Sequence, residues 1–148
     1  VNFYGWSLSG RRSLGEFFVN NLSEGRNVNG FTDVIFCPMW VNHLAQTLIA
    51  MLERDLHGLY HVVGAQPMNK YQFGVEVARK FGLSESLISP QSVERSGLTA
   101  KRSHNLWLSV HKLSTDLGRD IPEFSTGLNG FYTQFQQGYP QKIRGYQQ

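Results

Sequence analysis

Arginines are the side chains in this sequence best suited to hold a ligand. The guanidinium of Arg102 is a planar fork of donors that matches two phosphate oxygens. Arg11 and Arg12 add a second basic pair on a Gly/Ser loop. One or two such residues could make a local anion site. An exposed loop position or a structural ion pair is the alternative for each. Other spacings carry less chemistry. His57 and His61 are four apart, which on a helix would suit a metal, but Gly58 separates them and no metal site is expected. Ser7 and Ser9 flank Leu8, yet no G-x-S-x-G elbow occurs, so serine hydrolysis is not indicated. Cys37, the only cysteine, stands in an apolar run before Pro38 and reads as a small buried residue.

The elements that must position these groups alternate between strand and helix. Residues 1–4 form a short apolar strand that ends at Gly5 and reads as already under way at Val1. Ser13 and Glu16 have capping-box spacing, and Leu14, Phe17, Phe18 and Leu22 mark one face of the helix they open, up to Gly25. Residues 32–36 are β-rich and stop at Pro38. Val41, Leu44, Ala45, Leu48, Ile49 and Leu52 give the clearest amphipathic helix in the chain. The run 59–63 predicts a buried strand closed by Gly64.

A second capping box, Asn69 with Gln72, opens a helix bearing Phe73, Val77, Ala78 and Phe81, which ends at Gly82. A short helix is expected near 84–88 and a turn-rich stretch over 89–104. Residues 106–108 read as extended. A helix with Leu113 and Leu117 follows Ser109, and a last one spans about 122–137. The polar residues 139–148 read as a tail. The pattern predicts an α/β chain with few strands and about five helices.

Bulk properties narrow the function. The 148 residues carry a net charge of only +3, and the basic residues are scattered, so a nucleic-acid partner is not expected. No apolar run reaches the roughly 18 residues of a membrane span. A single cysteine excludes an internal disulfide and suits a cytoplasmic protein.

Four segments carry a family resemblance. They are Val1-Asn2-Phe3-Tyr4-Gly5-Trp6; Phe36-Cys37-Pro38-Met39-Trp40-Val41-Asn42-His43-Leu44-Ala45; Gly58-Leu59-Tyr60-His61-Val62-Val63-Gly64 with Lys70-Tyr71-Gln72-Phe73; and Arg102-Ser103-His104-Asn105-Leu106-Trp107-Leu108 with Lys112-Leu113 and Leu117-Gly118. In order and spacing they resemble the C-terminal part of extended short-chain dehydrogenases/reductases, and more the dTDP-4-dehydrorhamnose reductase branch than the epimerases. Ser103, Ser109 and His43 depart from that pattern.

The resemblance implies a Rossmann-like reductase whose N-terminal, cofactor-binding half lies outside this sequence. Residues 1–138 would be the substrate-binding region. NAD(P) would serve the parent enzyme, with no cofactor site in this chain. The substrate would be a nucleotide-linked sugar. Arg102 and Asn105 would hold its diphosphate and nucleotide sugar, with Asn2 at a strand end and Trp6 packing on sugar or base. The family's Tyr-x-x-x-Lys pair has no counterpart here, since none of the six tyrosines has Lys four residues on. No G-x-G-x-x-G occurs either. No catalytic residue is therefore expected, and the chain alone should be inactive. The alternative is a non-catalytic protein of the same fold, regulatory or covering its sheet edge as a homo-oligomer.

Overall fold

The computed structural model describes residues 3–8, 13–97 and 103–146. Among the described residues, three two-stranded ladders lie among six α-helices. Strands β1 (Phe3–Tyr4) and β4 (Met39–Trp40) run parallel, with Phe3 opposite Met39. Strands β2 (Val28–Phe31) and β6 (Ile88–Gln91) are also parallel, from the Val28–Ile88 pair to the Phe31–Gln91 pair. Strand β3 (Ile35–Phe36) pairs antiparallel with β5 (Met68–Asn69), and Asn105 bridges the other side of Ile35.

Local chemistry sets the helix boundaries. Helix α1 (Leu14–Ser23) starts at Ser13, whose hydroxyl receives the Glu16 N–H while the Glu16 carboxylate receives the Ser13 N–H. Helix α3 (Lys70–Phe81) has the same reciprocal cap from Asn69 and Gln72, and Gly82 ends it in the left-handed conformation. Helix α4 (His111–Leu117) ends likewise at Gly118. Helix α2 (Val41–Glu53) grows directly from β4, and α5 (Phe124–Gln136) follows Pro122–Glu123.

The core is aromatic. Phe73 is fully buried, and its ring lies 5.3 Å from Tyr4, 5.6 Å from Phe36, 5.6 Å from Phe124 and 6.2 Å from Phe18. One residue of α3 thus joins β1, α1, β3 and α5. A second cluster of Met39, Leu113, Leu117 and Ile121 seats α4. Helix α5 comes close enough to cover the Trp40 ring only because Gly130 faces it: a Cβ there would lie 2.4 Å from the indole.

Several sequence expectations are corrected. Of the strand expected at 32–36, only Ile35–Phe36 forms one, as β3; β2 ends just before it at Phe31. Asp33 between them turns its carboxylate to Ser92 and Val93 instead of continuing the strand. Residues 59–63 join no ladder among the described residues; Tyr60 is tied sideways to α4 through its hydroxyl to Asp116 (2.8 Å). The stretch 89–104 contains most of β6. The supposed polar tail contains helix α6 (Tyr139–Gly145), entered through Gly138 and Pro140, with Pro140 and Ile143 buried. Among the described residues there are six α-helices, in keeping with the few strands and about five helices expected.

Helix α2 is amphipathic in an unexpected sense. Its buried positions include His43 and Thr47, while Val41, Leu48, Ile49 and Leu52 face outward. Thr47 satisfies its hydroxyl on the His43 carbonyl (2.7 Å), and burial lowers the His43 pKa, so that imidazole sits neutral against the Trp40 ring. Cys37 is fully buried, as its apolar setting suggested.

Candidate functional site

In parallel strands the C-terminal ends share one edge, and that edge is where α/β folds place ligands. Here β1 leads through Gly5, Trp6 and Ser7 toward the N-terminus of α1, and β4 leads straight into α2. Gly5 is required at the crossing, because a Cβ would meet the Val41 side chain at 2.4 Å.

A buried carboxylate organises the turn after β1. Glu16 is fully buried. One oxygen accepts from the Ser7 N–H (3.1 Å) and from the Arg144 guanidinium (3.2 Å); the other accepts from the Ser13 N–H (3.0 Å). The Ser13 hydroxyl donates to the Gly5 carbonyl at 2.6 Å. Ser7 and Ser13 are therefore both fastened to the first turn of α1.

Trp6, which the motifs suggested for stacking on a ligand, is packed on α5. Its ring stacks 4.2 Å from Phe131 and 5.8 Å from Phe135, and its indole N–H donates to the Phe131 carbonyl at 3.2 Å. Asn105 lies elsewhere, on the open side of β3. Its side-chain oxygen accepts from the Trp107 N–H (2.9 Å), and the residue is exposed. No contact joins Trp6 to Asn105 among the described residues. Asn2, Arg11, Arg12 and Arg102 lie outside the described residues.

Two features give little signal in the sequence. The first is Asp33. Its carboxylate accepts from the Ser92 hydroxyl (2.5 Å) and the Val93 N–H (2.9 Å), and these bonds, Ser92's foremost, hold its pKa below the usual carboxylate range. The ring of His104 contacts the Asp33 carbonyl oxygen at 3.1 Å. Asp33 thus ties down the chain on both sides of the segment that carries Arg102. A lone Asp between two β-rich runs does not announce such a role.

The second is a cleft of about 350 Å³ between α1 and the β2–β6 pair. Phe17, Asn21, Asn27, Asn29, Phe31 and Gln91 line it, and among the described residues no charged side chain does. Asn27, Asn29 and Phe31 are two apart, so a strand puts them on one face; that alternation was the available clue. Among the described residues, neither Asn27 nor Asn29 commits its side-chain amide to a protein hydrogen bond. Free carboxamides beside two phenyl rings suit an uncharged ring with polar edges, such as a sugar or a base. They do not suit a phosphate, which needs cations.

The sequence model of one family, described as the RmlD substrate binding domain, matches residues 4–137. The chain belongs to that family. A curated relative, the probable low-salt glycan biosynthesis reductase Agl14 of Haloferax volcanii, is 23% identical over 113 residues, covering 76% of this chain and 38% of its own. Among solved structures, dTDP-4-dehydrorhamnose reductase from Bacillus anthracis, in complex with NADP, superposes with a TM-score of 0.76 at 19% identity. It covers 90% of this chain and 45% of its own. The Clostridium acetobutylicum dTDP-4-dehydrorhamnose reductase gives 0.76 at 20% identity, with 92% and 47% covered.

These likenesses establish the fold of this RmlD-type domain: mixed α/β, like part of the larger structures it superposes on. The chain spans less than half the length of the reductases it matches. The resemblance to the dTDP-4-dehydrorhamnose reductase branch seen in its four motifs therefore holds. No helix among the described residues is long and apolar enough to cross a membrane.

Among the described residues, the starts of α1, α2 and α3 offer no open anion site. A pyrophosphate needs free N–H groups on a glycine-rich strand–helix turn. At α1 the buried Glu16 carboxylate already takes that place, at α3 the Asn69 side chain does, and α2 begins at bulky Trp40.

Proposed function

We propose that this chain is the nucleotide-sugar-binding portion of an NAD(P)-dependent reductase of the dTDP-4-dehydrorhamnose reductase type. The match to the substrate-binding family over residues 4–137 carries the reading. The uncharged amide cleft supports it, as a place for the base or sugar. Arg102 supplies the diphosphate contact that the cleft lacks, and Asn2, Trp6 and Asn105 complete the set inferred from the motifs. Trp6 acts there from its packed position against α5. The parent enzyme would pass hydride to the sugar ketone with a Tyr–Lys pair and a glycine loop outside this sequence. This chain alone contributes binding and no catalysis, and a cytoplasmic setting suits its one buried thiol.

Titration calorimetry with dTDP, comparing the unaltered protein with Arg102→Ala, tests the assignment. Loss of one charge-assisted contact should weaken binding by about tenfold to a hundredfold. Equal affinities would remove Arg102 from the site, and no binding by the unaltered protein would overturn the functional reading.

The outward stripe of α2 favours a second reading, in which copies of the chain associate. Val41, Ala45, Leu48 and Leu52 follow a four–three–four spacing, as in a helix seam, and all four are exposed. Sedimentation at micromolar concentration should then show a dimer that Leu48→Lys dissociates. A compact monomer of the unaltered protein would count against it.

A further inference from the structure

Helix α6 lies beyond the residues that the family match covers, yet it reaches the turn after β1. Its Arg144 places a guanidinium nitrogen 3.2 Å from the Glu16 oxygen that also receives the Ser7 N–H. Glu16 is fully buried, whereas the Arg144 side chain is about half exposed (47%). The carboxylate is thus the costly partner: without its cation, it loses the charge that compensates its removal from water.

Its other two bonds hold Ser7, the neighbour of Trp6, and Ser13, the N-cap of α1. Pro140 and Ile143 anchor α6 independently by burial. Arg144 is therefore free to act on the turn and not merely to dock its own helix.

We propose that Arg144 is a positioning residue for ligand binding: through Glu16 it fixes Ser7, beside Trp6, and Ser13 at the start of α1. With Arg144 in place, the Glu16 carboxylate accepts from both backbone N–H groups. Without it, the buried carboxylate loses its paired cation and swings toward water, releasing Ser7. The ligand-binding consequence rests on the function proposed above; the fastening of the turn does not.

The test compares Arg144→Gln and Arg144→Lys with the unaltered protein by amide hydrogen exchange and by dTDP calorimetry, with circular dichroism to confirm that both variants fold. In Arg144→Gln the Ser7 and Ser13 amides should exchange about tenfold faster, the scale of one charge-assisted hydrogen bond, while amides of α3 stay protected. Affinity for dTDP should fall by a similar factor, and Arg144→Lys should restore most of both. Unchanged exchange at Ser7 overturns the proposal, as does faster exchange with unchanged dTDP affinity. If the unaltered protein binds no dTDP, the functional reading falls. Exchange then decides the fastening alone: acceleration at Ser7 supports it, and no change overturns it.

Discussion

Replacing Phe73 with alanine is expected to lower the unfolding free energy by about 3–5 kcal/mol, the range for removing a large aromatic from a packed core. The site favours the upper part of that range. Phe73 is fully buried and its ring touches four other aromatic residues on β1, α1, β3 and α5. Two of the contacts, to Tyr4 and Phe36, are edge-on, and aromatic pairs of this kind add about 0.5–1.5 kcal/mol beyond area burial. The hole left behind cannot close without moving several elements at once. Urea denaturation followed by circular dichroism measures it, and Phe73→Leu, which refills much of the volume, should recover a large part of the loss. A loss below about 1.5 kcal/mol for Phe73→Ala would show that the aromatic cluster is not the centre of the core.

Gly64→Ala is expected to be comparably damaging, at about 3 kcal/mol or more, for a different reason. A Cβ on residue 64 would lie 2.1 Å from the carbonyl oxygen of Pro38. The obstacle is backbone, so no rotamer change relieves it. Either residues 37–39 shift, disturbing β4 and its pairing with β1, or residues 62–65 move away. Gly25→Ala is the control. Gly25 also resists substitution, because its φ is +69°, but nothing lies within 4 Å of its added Cβ. It should cost only the left-handed penalty of about 1–2 kcal/mol. Urea midpoints that ranked the two variants the other way round would contradict the close approach of residue 64 to Pro38.

What was legible in the sequence was local. Both capping boxes were visible as pairs three residues apart, because the side chain and the N–H it satisfies belong to one helical turn. The left-handed stops at Gly82 and Gly118 were visible for the same reason. The β2–β6 ladder was not, since it joins segments far apart in the chain and Ser89-Pro90 resembles a turn. Helix α2 shows a subtler limit. Its periodicity revealed an apolar stripe, but periodicity does not say which side the rest of the chain covers. Here His43 and Thr47 turn inward, because Thr47 can bond the preceding turn and His43 can stay neutral. Helix α6 was hidden by polar composition, although two buried residues suffice to seat it.

The site divided in the same way. Family motifs pointed to Trp6 and Asn105, and both occupy defined places, one under α5 and one beside β3. The Asp33 hub and the Glu16–Arg144 pair depend on partners 59 and 128 residues away, which no spacing rule reaches.

The three tryptophans stand in three distinct surroundings. Trp107 is half exposed on the stretch before α4, Trp40 lies beneath the glycines of α5 with its N–H buried and unpartnered, and Trp6 is stacked at the turn after β1. Light emission from this protein is therefore already spatially coded. Trp107 senses bulk water, Trp40 the packing of the interior, and Trp6 the state of the turn fastened by Glu16. Keeping one indole at a time would turn the chain into its own set of optical gauges, with no label attached.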